Sequence, residues 1–367
     1  MSSASPPPLA TSQLIDDAVR TGAVIVYSLS GGKDCGAVAA MANEYLDSIG
    51  HPRSRRYAMH ADLGRAEWRH TTDQVTAQAE ALGVPLMIER ATDDLPARFE
   101  DRWRRGLAAY RDLRLYNLRG PWASPSLKFC QSEKKIQVMG PALAKRFRGH
   151  TVVQVTGLRR DESRARQSTE VAKLDTRFAK PGNRAGTTML MWNPGVDMTR
   201  DQVFAVNEQY GIPISRVYRL GCSRHSCAAC VMGSARDLMI AGQQPENSSL
   251  FKLYIELELT STFSFQAGRW LADQARHLLS DAKQIMLDDA KRDAARRREL
   301  EAGMPAKHRF VRGWPLYVPD HSEARVISEV RAEILARHHL PNLYPSSSDV
   351  IDRFAELRAM QSMGRAA

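Results

Sequence analysis

Apolar and polar positions change their spacing in blocks along the first half of the chain. The run 22-GAVIVY-27 is short, continuous and apolar, the pattern of a buried strand, and it stops at the polar stretch 28-SLSGGKDCG-36. Residues 34-DCGAVAAMANEYLDSIG-50 then carry apolar residues at helical spacing and halt at Gly50, which predicts a helix. A short helix over 13–22 precedes the strand. Further on, 56-RYAMHADLG-64 and 84-VPLMIER-90 read as strands around a helix at 66–82. Another strand, 151-TVVQVTGLR-159, follows a mostly helical, arginine-studded stretch between 94 and 148. Such alternation predicts an α/β fold, a parallel sheet with helices on both faces. Its site is expected where loops leave the carboxyl ends of the strands.

The later pattern is helical. Thr199 is placed to cap a helix over 199–211, and a loop carrying three cysteines comes next. A long helical pattern covers 265–300, and a last helix lies near 348–362. Residues 1–12, rich in Ser and Pro, are expected to be disordered. The division expected is an α/β domain over 13–235 and a mainly helical C-terminal extension over 236–367. That extension is expected to cap the first domain, since no linker separates them.

Charge adds a class of partner. Lys and Arg total 52 against 41 Asp and Glu, a formal +11, which favours polyanions. The run 291-KRDAARRREL-300 fits a phosphate grip or a solvated face. No stretch approaches the roughly 18 uncharged apolar residues of a membrane helix, and the N-terminus lacks the order of a signal peptide. A cytoplasmic protein without a membrane partner is expected. The five cysteines, an odd count, point to metal or catalytic use rather than disulfides.

The stretch SLSGGKDCG has three readings: a phosphate cradle, a reactive-cysteine loop, or a tight turn. It is neither a Walker A loop nor GxGxxG. A loop between strand and helix aims backbone N–H groups at an anion, and Gly31 and Gly32 permit the close approach. Lys33 would neutralise phosphate charge and Asp34 would hold Mg²⁺. The second cluster, 221-GCSRHSCAACVMG-233, spaces Cys222, Cys227 and Cys230 as C-x4-C-x2-C, with Cys130 a fourth donor from elsewhere. Four thiolates suit zinc or an iron–sulfur cluster, and spacing does not choose between them.

SGGKD after an apolar strand resembles the pyrophosphate loop of the N-type ATP pyrophosphatases. This is the PP-loop superfamily, of adenine nucleotide alpha hydrolase-like fold, whose members split ATP into AMP and pyrophosphate. Cys35 stands where that family commonly has Ser or Thr, and is read as a small helix residue tolerated there. The segments 60-HADLGRAEW-68, 157-GLRRDESRAR-166 and 192-WNPGVDMTRDQV-203 resemble the phosphoadenosine phosphosulfate (PAPS) reductase-like branch. The resemblance implies that Ser30, Gly31, Gly32, Lys33, Asp34, Asp62 and Arg164 hold ATP and Mg²⁺. It implies catalytic roles for Lys33, Asp34 and Arg159. It also implies a [4Fe–4S] cluster on Cys130, Cys222, Cys227 and Cys230, with Zn²⁺ the alternative, and His225 is read as a solvated loop residue.

Within that branch the chain resembles most the iron–sulfur DNA phosphorothioation sulfurtransferases. Sulfonucleotide reductases of this kind use a cysteine near the C-terminus, and here no cysteine follows Cys230, which counts against sulfate reduction. The function implied is adenylation of a substrate oxygen and its replacement by sulfur, on nucleic acid, DNA before tRNA. The partners implied are a sulfur donor such as a cysteine desulfurase and other subunits of a modification system. A reductase acting on a sulfonucleotide and a non-catalytic nucleotide- or nucleic-acid-binding module remain as alternatives.

Overall fold

A computed structural model describes residues 9–365. In chain order its main elements are α1 (Gln13–Arg20), β1 (Val24–Ser28), α2 (Lys33–Ser48), β2 (Arg56–Asp62), α3 (Thr71–Leu82), β3 (Leu86–Arg90) and α4 (Leu95–Arg111). Then come α5 (Phe129–Gln131), α6 (Gln137–Arg146), β4 (Thr151–Val155), β5 (Ala172–Leu174), β6 (Thr188–Trp192), α7 (Arg200–Gln209) and α8 (Ala235–Gly242). The helices α9 (Ser248–Ser261), α10 (Leu271–Gln274), α11 (Asp281–Ala302), α12 (His321–Arg337) and α13 (Ser347–Arg365) complete the chain. Among the described residues no helix is long and apolar enough to cross a membrane.

The six strands run in the order β3-β2-β1-β4-β6-β5, all parallel except the edge strand β5, which is antiparallel to β6. Side chains alternate across the sheet as the pleat requires. On β1, Ile25 and Tyr27 pack toward α2, α3 and α7, whereas Val24 and Val26 pack toward Leu143 and Phe147 of the α6 region. The sheet is therefore apolar on both faces, and each such buried aliphatic side chain contributes about 1.5–3 kcal/mol. Small residues let α2 settle deeply: Ala37, Ala39, Ala40 and Ala42 are all buried.

Chain order and strand order reverse direction at β1. The connection from β1 leads outward to β2 and β3, and β4 returns to the other side of β1. The crevice beyond the carboxyl ends of β1 and β4 is thus the topological switch point, where ligands bind in open α/β sheets.

Two strands escape the sequence pattern. β5 has three residues, and β6 follows a turn-forming segment punctuated by Pro181, Gly182 and Gly186, without a repeating alternation. The expected cap on α7 forms: Thr199 Oγ1 accepts from the Gln202 N–H, and the Gln202 side chain accepts from the Thr199 N–H. Of the N-terminal segment expected to be disordered, residues 1–8 lie outside the described residues. Residues 9–12 are held against the sheet, for Ala10 N donates to Pro194 O at 2.8 Å and Trp192 Nε1 to Ala10 O at 2.8 Å.

The chain forms two compact units, and neither is continuous in sequence. One comprises residues up to 95 together with 125–247, and the other 96–124 together with 248–367. The sequence pattern places 96–124 inside the first domain and the start of the extension at 236. Contacts remote in sequence decide otherwise: Phe99 meets Tyr254 edge-on at 5.6 Å, Trp103 meets Phe263 at 6.0 Å, and the buried Arg331 donates to Leu115 O at 3.5 Å.

The pattern over 265–300 is two helices with an irregular stretch before and between them, not one helix. Thr262 and Gly268 take positive φ, of 58° and 72°, which no helix accommodates. The fully buried Glu258 organises this break by accepting from Phe265 N, Leu271 N and Ala272 N at 2.7, 2.8 and 3.0 Å. Burial pushes its carboxyl up to about 7, against the opposing pull of those N–H groups. A raised native value means that the folded state keeps the proton longer than the unfolded chain does. Stability is therefore full below the ordinary carboxylate range and falls as pH rises toward 7, by about 1.4 kcal/mol per pH unit. Glu258→Gln has no such proton, so the fall in urea midpoint between pH 5 and 7 is expected to be shallower in the variant. Parallel pH profiles for both proteins would refute this.

Candidate nucleotide site and cysteine loop

The glycine loop joins β1 to α2 at the switch point. Gly31 has φ of 75°, and Gly32 is the N-cap of α2. Side-chain amides hold the loop's carbonyls: Gln78 Nε2 donates to Gly32 O at 3.2 Å, and Asn207 Nδ2 to Lys33 O at 2.9 Å. Among the described residues the N–H groups of Gly31 and Gly32 have no hydrogen-bond partner. With its acceptors occupied and donors remaining at a helix N-terminus, the loop is built for an anion.

Cys35 belongs to the loop's framework. Its thiol accepts from Ser30 N at 3.3 Å, donates to Gly32 O at 3.2 Å, and lies 3.5 Å from Ser30 Oγ. Burial raises its pKa, so it is a protonated structural thiol rather than a nucleophile.

Charge is concentrated on the first turn of α2. Lys33, only 3% exposed, donates to Asp34 Oδ2 at 2.8 Å and lies 5.8 Å from the ring of Phe204 and 5.6 Å from that of Tyr218. Arg159, on the loop after β4, donates through Nε to Asp34 Oδ1 at 2.7 Å and through Nη1 to Asp161 Oδ1 at 2.5 Å. One carboxylate thus orients two cations beside the glycine loop. Gly157 makes this possible: a Cβ there would lie 2.7 Å from Cys35 N and 2.8 Å from the Asp34 carbonyl carbon.

Other expected residues fall elsewhere. Asp62 ends β2, where Oδ1 accepts from Gly64 N at 2.7 Å and Oδ2 from Arg90 Nε at 2.9 Å, so its carboxylate is already engaged. Arg164 is exposed. It is Arg166, paired with Glu162, whose charge is felt alongside those of Asp34, Arg159 and Arg224, and burial holds its guanidinium below the usual value.

The cysteine loop packs against this cradle. The Tyr218 hydroxyl accepts from both Lys33 N at 3.1 Å and His225 N at 3.2 Å, and burial raises its pKa to about 12. Ala228 N donates to Ala66 O at 2.9 Å. His225 is no solvated residue. Its Nε2 lies 3.1 Å from Thr71 Oγ1, its buried Nδ1 has no partner among the described residues, and burial pulls its pKa down to about 3, leaving a neutral ring. A side chain at Gly31 would meet that ring at 3.0 Å. Tyr218, His225, Asn207 and Gln78 all escape sequence reading, because only the fold brings them to the loop.

Three of the four expected thiols are neighbours. Cys130, Cys227 and Cys230 lie close enough to perturb one another, and burial raises the pKa of Cys130 and of Cys227. Cys222 instead neighbours Asp237 and Arg236, and burial pushes its thiol up to about 11. Among the described residues no three His, Cys, Asp or Glu side chains are arranged to hold a metal ion. Cys130, Cys227 and Cys230 are the residues that would hold a thiolate-bound group, whether a [4Fe–4S] cluster or zinc.

A parallel sheet with a glycine loop, two buried cations and a shared carboxylate at its switch point defines an α/β protein built to hold phosphate. The phosphoadenosine phosphosulfate reductase domain matches residues 24–232, more than half of the chain, and the chain belongs to that family. No curated protein matches it. A solved structure of phosphoadenylyl-sulfate (PAPS) reductase from Candida auris, in a phosphate complex, aligns with 16% identity and a TM-score of 0.37. The alignment covers 59% of this chain and 86% of that one.

Proposed function

We propose that this chain is an ATP pyrophosphatase-type sulfurtransferase acting on nucleic acid, with the DNA backbone the favoured acceptor. The observation that carries it is the glycine loop, where among the described residues the N–H groups of Gly31 and Gly32 have no partner, beside Lys33, Asp34 and Arg159. The loop and Lys33 take the β- and γ-phosphates of ATP, and Arg159 takes charge developing at the α-phosphate. Mg²⁺ would be held by the ATP phosphates with Asp34, whose two oxygens accept from Lys33 and Arg159, and would neutralise charge on the leaving pyrophosphate.

A non-bridging oxygen of the acceptor phosphodiester attacks the α-phosphorus of ATP, and the bond to pyrophosphate breaks. A hydrosulfide equivalent from a sulfur donor then attacks the activated acceptor phosphorus. AMP departs with the oxygen, and sulfur stays on the backbone.

Sulfonucleotide reduction is the second reading, favoured by the family to which residues 24–232 belong. The two separate in one experiment. The protein is incubated with ATP, Mg²⁺, a cysteine desulfurase with cysteine and reductant, and either duplex DNA or tRNA. AMP and pyrophosphate are quantified, and digested nucleic acid is examined by mass spectrometry. Pyrophosphate release with sulfur incorporated into DNA is expected. Sulfite released from PAPS, with no sulfur in either nucleic acid, overturns the proposal in favour of the reductase.

A further inference from the structure

The helical unit holds a groove of about 370 Å³ with five arginines along it: Arg98, Arg102, Arg105, Arg114 and Arg119. The first three fall at i, i+4 and i+7 on α4 and therefore share one face. The floor is kept low by Gly106, Ala108 and Ala109, whose side chains are absent or short. The far wall is fixed. Arg102 Nε donates to Gly120 O at 3.0 Å, and a Cβ on Gly106 would lie 3.1 Å from Arg119 O, so glycine allows the returning chain to lie against the helix.

Arg105 pairs with Asp101 and Arg114 with Asp112 at the groove, so its arginines are held in place as well as charged. The basic run 291–300 is also paired within the unit, and it does not line that groove. Lys291 pairs with Asp273 and Arg296 with Glu333, while buried Arg297 donates to Thr262 and stacks on Phe263 at 3.3 Å.

We propose that the arginine groove on α4 is a docking surface for the sugar–phosphate backbone of a nucleic acid. An i to i+7 row spans about 10 Å of helix axis. One strand of a duplex carries one charge per 3.4 Å or so of the duplex axis, and successive phosphates lie farther apart along the winding backbone, so the row faces about two phosphates. A lone nucleotide would need fewer cations and a surface for its base. The groove lining is Arg, Gly and Ala only, with no aromatic ring to stack a base, which matches a backbone read by charge and not by sequence. The inference rests on the nucleic-acid reading above for the identity of its ligand.

The test uses the full chain and a fluorescently labelled 20-base-pair duplex, with affinity read by anisotropy across a range of salt. Arg105→Ala with Arg119→Ala, both at exposed positions, is expected to weaken binding about tenfold at low salt and to flatten the salt slope by about 1.8. Ala109→Glu reaches the same groove by an independent change and should weaken binding comparably. Arg292→Ala with Arg298→Ala removes equal charge elsewhere and should leave binding within twofold. Unchanged binding in both groove variants, or an equal loss in the control pair, overturns the proposal. So does full displacement of the duplex by inorganic pyrophosphate at a concentration matched in phosphate charge, which would assign the groove to a small anion. The readouts are separable from the function above. A wild-type protein that binds DNA through the groove yet adds no sulfur sinks the sulfurtransferase reading alone, and sulfur addition by groove variants with undiminished binding sinks the groove alone.

Discussion

Lys33→Met is expected to lower ATP-dependent pyrophosphate release about 10²–10³-fold while changing the urea midpoint little. The factor is that of removing one preorganised charge from a site where negative charge develops. Methionine keeps an unbranched stem between Phe204 and Tyr218, so the packing around the side chain persists. Asp34, which loses one partner, keeps Arg159 at 2.7 Å and is not left as an unpaired buried charge. Steady-state pyrophosphate release and single-turnover AMP formation check the expectation together. Activity within threefold of wild type would mean that Lys33 serves only to position Asp34.

Gly157→Ala should disturb the site from outside it. Its Cβ would come within 2.7 Å of Cys35 N and 2.8 Å of the Asp34 carbonyl carbon, closer than side chains approach a backbone. Neither partner is a flexible side-chain end, so the first turn of α2 or the loop after β4 must shift. Overpacking of this kind costs about 1–3 kcal/mol, and the displaced turn carries Lys33 and Asp34. The expected result is a lower urea midpoint together with at least a tenfold loss of ATP affinity, measured calorimetrically with Mg²⁺ present. A stability loss with unaltered ATP affinity would show that the β4 loop supports the fold without setting the cradle.

Both expectations begin from residues legible in the sequence. The run GAVIVY, the glycines after it and the alanine-rich helix predict strand, loop and helix from local pattern alone, because apolar spacing and backbone freedom are properties of neighbouring residues. The strands at β2, β3 and β4 follow for the same reason, as does the Thr199 cap. Arg159 was visible through its flanking residues, and the structure joins it to Asp34.

Other features depend on meetings between distant segments. His225 reads as a loop residue until the fold sets its ring beside Gly31, and Tyr218 has no local signal that its hydroxyl receives two backbone N–H groups. The cysteine spacing suggested four converging donors, and only the fold shows that the charged neighbours of Cys222 are Asp237 and Arg236. Residues 96–124 read as part of the first domain and belong to the second unit, through ring contacts that cross about 150 residues of sequence. The long helical pattern after 265 breaks where Glu258 gathers three N–H groups.

The sequence by itself determined the alternation of strands and helices, the glycine loop and the cations that flank it, since each follows from spacing and backbone chemistry within a few residues. The tertiary structure alone decided which cysteines meet, which arginine faces Asp34, where the two units divide and how five arginines come to share one groove. Those outcomes are set by burial and by contacts between segments far apart in the chain, which local periodicity does not encode.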